Sequence, residues 1–205
     1  MSRKWKTDIK DWINKGMCGL VPIYHKNGGN YTKLIFEDNP PTIIEKRIHT
    51  VLVRLAAFFQ KDIRLIRQQA REVTGQRSMN PLPITSDIIL VPFKMRKPIG
   101  KDDGAVGYIL NSAIENIVQG EDGVRVVLKN GQHCGVLDTY ITAKHHVGHA
   151  HQIYYHLLQE SEGTSTYGLC RECAGVYNQP VTKGDFVTLS RNIGKLVCKL
   201  DKLQK

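Results

Sequence analysis

Apolar and polar positions alternate with two different periods along this chain, and the changes of period mark its elements. In the opening stretch Trp5, Ile9, Trp12 and Ile13 recur at three- and four-residue steps, which predicts a short amphipathic helix over residues 1–16. Two strand-like runs follow, Cys18 to Tyr24 and Tyr31 to Phe36, with Gly28-Gly29 between them suited to a hairpin turn. Asn39-Pro40-Pro41 ends the second run. Thr42 and Glu45 have capping-box spacing, so a helix is expected to begin there. Its core side would be Ile44, Ile48, Val51, Leu52, Leu55, Phe58 and Phe59. A second helix is expected from Asp62 as N-cap to Gly75 as C-cap.

The period then changes to that of β structure. Asp87 to Phe93 reads as a strand in which Pro92 signals an edge or an end. Three strands then read as a meander: one that Gly107 to Leu110 begins and Ile114 to Gln119 continues or replaces, then Val124 to Lys129, then Gln132 to Leu137, with Asn130-Gly131 as the hairpin signal. From 138 to 159 Ala143, Val147, Ala150, Ile153, Tyr154, Leu157 and Leu158 restore a helical stripe. Residues 160–168 read as a linker, and 182–205 as a strand followed by a basic helix. The fold class expected is α+β: a mainly antiparallel meander or sheet around residues 86–137, with the helices of 42–75 and 139–159 packed on it.

Charge sharpens this picture. Across 205 residues, 29 Lys and Arg face 19 Asp and Glu, a net charge of +10. The excess is uneven. Residues 43–77 carry eight basic and three acidic side chains, whereas residues 102–182 carry four and nine. One cationic side is what a polyanion-binding protein requires. In the second helix Arg64, Arg67 and Arg71 recur on a face distinct from Ile63, Ile66, Ala70 and Val73. The loop with Lys94, Arg96, Lys97 and Lys101 is a second basic cluster. The competing reading of both is a solvated surface. No apolar run reaches the ~18–20 residues of a membrane span, and the N-terminus lacks the apolar region of a secretory signal. A cytoplasmic protein with reduced thiols is therefore expected.

Other chemistry is sparse. No phosphate-binding glycine fingerprint and no nucleophile elbow is present, so no catalysis is expected. Asp102-Asp103 reads as a solvated turn. His145 and His149 stand at i, i+4, and Cys170 and Cys173 form a Cys-x-x-Cys some twenty residues on. These four could complete a tetrahedral zinc site. With the His pair first and a single Cys-x-x-Cys, unrelated surface histidines and thiols are the competing reading, and no cofactor is expected beyond this zinc alternative.

Several collinear segments resemble the ComK family, competence transcription factors of Gram-positive bacteria. They are Leu20-Val21-Pro22-Ile23-Tyr24 with Asn27-Gly28-Gly29, Ile43-Ile44-Glu45-Lys46 through Phe58-Phe59, Arg67 to Gly75, Asn80-Pro81-Leu82-Pro83-Ile84 leading to Val91-Pro92-Phe93, Gly107-Tyr108-Ile109, and Val126-Val127-Leu128 with Asn130-Gly131. Together they cover roughly residues 18–158. The chain differs from the family at Ala56, Gln60 and Tyr108. Residues 105–158 are also similar, at the level of fold, to the LytTR type of DNA-binding domain. The resemblance implies a DNA-binding domain over 1–160 with a basic extension over 161–205. It implies a homo-oligomeric activator of competence or DNA-uptake genes that recognises A·T-rich promoter DNA. Arg64, Arg67, Arg71, Lys94, Arg96 and Lys97 are the expected DNA contacts, with no membrane partner.

Overall fold

The structure is a computed structural model that describes residues 3–25, 28–100 and 103–164, with side chains over 8–160 of these. The elements in chain order are α1 (Arg3–Asn14), β1 (Met17–Tyr24), β2 (Asn30–Phe36), β3 (Thr42–Ile44), α2 (Ile48–Phe58), α3 (Ile63–Thr74), β4 (Leu82–Pro83), β5 (Ile89–Lys94), β6 (Val106–Leu110), β7 (Ile114–Gly120), β8 (Gly123–Leu128), β9 (His133–Val136) and α4 (Tyr140–Thr164). The fold is α+β with antiparallel sheets, as the pattern predicts.

The strands form two sheets, where one was expected. A six-stranded sheet runs β3-β2-β1-β6-β5-β4, and β7-β8-β9 make a separate three-stranded meander. A single 3₁₀ turn, Asn111–Ala113, separates β6 from β7 and carries the chain from one sheet to the other. The larger sheet is buried on both faces. On one face Leu20, Leu34, Phe36 and Leu90 pack with Ile9 and Trp12 of α1, Val51, Leu52 and Leu55 of α2, and Ile63 and Ile66 of α3. On the other, Ile35, Val91, Phe93 and Ile109 pack with Ile117, Val126, Leu128 and Val136 of the meander and Ala143, Ala150 and Ile153 of α4. Successive residues of a strand point to opposite faces. A strand covered on both sides therefore needs apolar residues at every position, which is why Ile88 to Phe93 is unbroken. Each fully buried Leu, Ile or Val contributes about 1.5–3 kcal/mol relative to exposure.

Proline placement follows neighbour length. β4 pairs only Leu82 with Leu90 and Pro83 with Ile89, so Pro92 lies past its end and no ladder bond is lost there. Likewise β6 meets β1 only at Gly19 and Leu20, short of Pro22. Cys18 is the extra residue of a bulge between Met17 and Gly19, and its thiol donates to Gly16 O at 3.4 Å.

The local punctuation of α3 is as predicted: Asp62 accepts from Arg64 N at 2.7 Å, and Gly75 closes the helix at φ +70°. The start of α2 is not. Thr42–Ile44 is a strand whose Thr42, Ile43 and Ile44 pair with Leu34, Lys33 and Thr32, and the helix begins at Ile48 after Arg47 with no side-chain cap. Pro40-Pro41 leaves the chain extended, and the open edge of β2 offers more ladder bonds than a capping box provides. The buried Thr32 hydroxyl then holds Lys46 O at 2.8 Å, fixing the turn into α2. At the end of α2, Gln60 occupies the left-handed region at φ +58°, where glycine is the unstrained residue.

Two details of α4 also differ from expectation. The helix continues through Thr164, where a linker from 160 was expected. Its buried line is Ala143, His146, Ala150 and Ile153, while Tyr154 is exposed. The spacing 3-4-3 admits His146 as naturally as Val147, and apolar residues alone do not locate the centre of the stripe. Gln152 Nε2 donates to Val73 O at 2.7 Å, tying α4 to the last turn of α3.

Candidate nucleic-acid interface

The three arginines of α3 have three different environments. Arg64 folds back on the cap: its Nη2 lies 2.9 Å from Asp62 Oδ2, an exposed pair of small energetic weight. The Arg64 side-chain hydrogen bond, then its backbone N–H, holds the Asp62 carboxyl below the usual range. Arg67 is half-buried and hydrogen-bonds the phenol of Tyr108 on β6. Burial raises the Tyr108 pKa, and the charge and hydrogen bond of Arg67 oppose that rise. Arg71 is exposed in the last turn, where a cation complements the helix dipole. The expected row of equivalent guanidinium groups is thus one capped, one anchored and one exposed side chain.

The second cluster is more organised. Arg96, in the loop between β5 and β6, donates from Nε to Gly104 O at 2.8 Å and from Nη2 to Asn30 Oδ1 at 2.6 Å. Its guanidinium carbon lies 3.9 Å from the centre of the Tyr24 ring, a cation–π contact. Tyr24 Oη donates to Asp103 Oδ2 at 2.7 Å and accepts from Ile99 N at 2.8 Å. Gly100 N donates to the same carboxylate at 2.8 Å. The Tyr24 hydroxyl, then Gly100 N–H, Asn30 and the Arg96 charge lower the Asp103 pKa to about 2. Asp103 is therefore a structural acceptor that clamps the loop to the turn end of the β1–β2 hairpin.

The clamp sorts the basic residues by role. Arg96 is spent on the loop itself, while Lys94 and Lys97 are exposed. Between Lys97 and Gly100 stand Pro98 and Ile99, the latter 82% exposed. Lys94 N donates to Asp138 Oδ2 at 2.7 Å, and Leu137 N donates to Lys94 O at 2.6 Å, so the base of the loop is also tied to the entry of α4. Lys101 lies outside the described residues.

On the opposite layer the charge reverses. The meander and α4 through residue 160 carry Arg125, Lys129 and Lys144 against Glu115, Glu121, Asp122, Asp138 and Glu160.

Of the alternative zinc ligands, His145 is exposed and His149 half-buried on α4. Burial, and then the neighbouring His145, lower the His149 pKa. Cys170 and Cys173 lie outside the described residues, as does the segment 182–205. Among the described residues no group of three His, Cys, Asp or Glu side chains is placed to hold a metal ion. No described helix is long and apolar enough to cross a membrane.

Sequence reasoning missed Tyr24, Asn30 and Asp103 as partners, because nothing local marks a contact between residues more than seventy apart in sequence. It also missed Tyr108 as the anchor of Arg67.

With this geometry in view, comparison with known proteins returns no match from family models, curated proteins or solved structures.

Proposed function

We propose that this protein binds double-stranded DNA through its basic layer, without catalysis. The observation that supports this reading best is the sorting of charge between layers. Residues 43–77, from the end of β3 through α2 and α3, carry Lys46, Arg47, Arg54, Lys61, Arg64, Arg67, Arg71 and Arg77 against Glu45, Asp62 and Glu72. The meander and α4 on the far side of the sheet carry an acidic excess. A duplex attracts such a surface through counterion release. Arg64, Arg71, Lys94 and Lys97 are the phosphate contacts, and Arg67 and Arg96 act chiefly by positioning α3 and the β5–β6 loop. The ComK resemblance extends the reading to a cytoplasmic, homo-oligomeric activator that prefers A·T-rich promoter DNA and serves competence or DNA uptake.

The test is fluorescence anisotropy with A·T-rich and G·C-rich duplexes at two salt concentrations. Four phosphate contacts per protomer give a slope of log K against log salt of about −3.6. Arg71→Ala and Lys97→Ala each reduce that slope by about 1 and weaken both duplexes alike. Binding that is weak and indifferent to salt, or a slope unchanged when Arg64, Arg71, Lys94 and Lys97 are all replaced by alanine, overturns the proposal.

A further inference from the structure

The β5–β6 loop holds an isoleucine where an isoleucine has no folding purpose. Ile99 is 82% exposed, more than any other large apolar side chain described. It is not carried on a loose tip. Its own amide donates to Tyr24 Oη at 2.8 Å, and the next amide, Gly100 N, donates to Asp103 Oδ2 at 2.8 Å. Arg96 closes the other side of the loop through Gly104 O and Asn30. Pro98 immediately before it fixes one backbone torsion. These bonds hold the backbone that carries Ile99, while its side chain stays exposed. A backbone fixed in this way reduces the entropy that a partner would have to remove on binding.

The surroundings identify the partner's chemistry. Lys97 stands two residues before the tip and Lys94 at the base of the loop, both exposed, so the complementary surface is anionic with an apolar recess. Stacked base pairs between two phosphate strands have that character. Apolar wedges that enter between base steps from the minor groove do so with cations at their sides. A lipid surface is the other anionic material with an apolar interior. One isoleucine buries only about 1.5–3 kcal/mol of apolar surface, which is marginal for membrane attachment but comparable to the cost of partly unstacking one base step.

The geometry points to Ile99 as a wedge: the clamped β5–β6 loop enters a groove of duplex DNA, Lys94 and Lys97 hold the flanking phosphates, and Ile99 inserts between base pairs and kinks the duplex. This rests on the DNA-binding reading above and adds a deformation to it.

The experiment separates the two. End-to-end energy transfer in an A·T-rich duplex of about 30 bp reports bending, and anisotropy on the same duplex reports binding. Wild type is expected to bind and to raise transfer. Ile99→Ala is expected to bind within about tenfold of wild type, with the same salt slope, and to lose the rise in transfer. Ile99→Phe restores the rise. The side chain is exposed, so neither variant disturbs the core. Binding without any rise in transfer by wild type, or a rise that Ile99→Ala preserves, overturns the wedge and leaves DNA binding standing. No binding to any duplex overturns both. Ile99-dependent sedimentation with vesicles of mixed neutral and anionic phospholipid, without duplex bending, overturns the wedge in favour of a membrane contact.

Discussion

Replacing His146 with leucine should stabilise the protein and flatten its response to acid. His146 sits in the buried line of α4 at 8% exposure, with its ring edge-on to that of Phe93 at 6.1 Å between centres. Neither ring nitrogen has a hydrogen-bond partner among the described residues. An unpaired buried donor or acceptor costs about 1–3 kcal/mol, and the lost ring contact offsets about 0.5–1.5 kcal/mol of this. Leucine is close to isosteric, so His146→Leu should gain about 1 kcal/mol, or about 2–4 °C in Tm for a unit of this size. The charged groups that bear on His146 are Asp138, His145 and His149. Burial lowers its pKa, Asp138 opposes, and the two histidines add to the lowering. A native pKa below the ordinary 6.5 means that the unfolded chain binds the proton more readily. Wild-type stability therefore falls as pH drops below 6.5, by at most about 1.4 kcal/mol per pH unit for one proton. Urea unfolding at about pH 7.5 and about pH 5.5 measures both effects. A variant less stable than wild type by 1 kcal/mol at the higher pH, or one with the full acid response of wild type, would refute this account.

Three further outcomes are expected. Gly148→Ala, in the interior of α4 with open space around its added Cβ, should raise stability by about 0.5–1 kcal/mol in the same urea assay. Gly107→Ala should cost about 1–3 kcal/mol, because its Cβ would meet the Leu20 carbonyl oxygen at 2.9 Å and the Met95 sulfur closer still; only the Met95 side chain can swing away. Asp103, followed by carboxyl carbon resonance, should titrate at about 2, and Tyr24→Phe should move it up towards 3.8. Because the folded pKa is the lower one, its stabilising contribution is present above pH 3.8 and is lost as pH falls through about 2.

Features that depend on neighbouring residues were readable from the chain. Asp62 and Gly75 bracket α3, Gly28 and Gly131 lie at hairpin turns with positive φ, and the spacing of Val51, Leu52 and Leu55 gives the buried side of α2. Features set by distant partners were not. Thr42 to Glu45 satisfies a helix-start pattern, but the edge of β2 claims the first three of these residues for the sheet. Gly107 to Leu110 and Ile114 to Gln119 look alike in sequence, yet β1 and β5 pair with the first run and β8 with the second. In the candidate interface the sequence marks the cations but not their partners. Arg67 and Arg96 look as available as Arg71 and Lys97, and only Tyr108, Tyr24 and Asn30 distinguish them.

The position of β6 also governs how the chain can assemble. Gly19 pairs with Ile109, ninety residues later, and the same short strand pairs with β5 on its other side. Until Val106–Leu110 arrives, β1–β3 and β4–β5 are two half-sheets with no shared seam, each with an apolar edge open to solvent. Closing that seam requires the β1–β6 pairing across ninety residues, a non-local contact of the kind that slows folding. A nascent chain that stalls before residue 106 presents two sticky edges of matching hydrophobicity. Five residues of β6 then decide between a finished sheet and self-association.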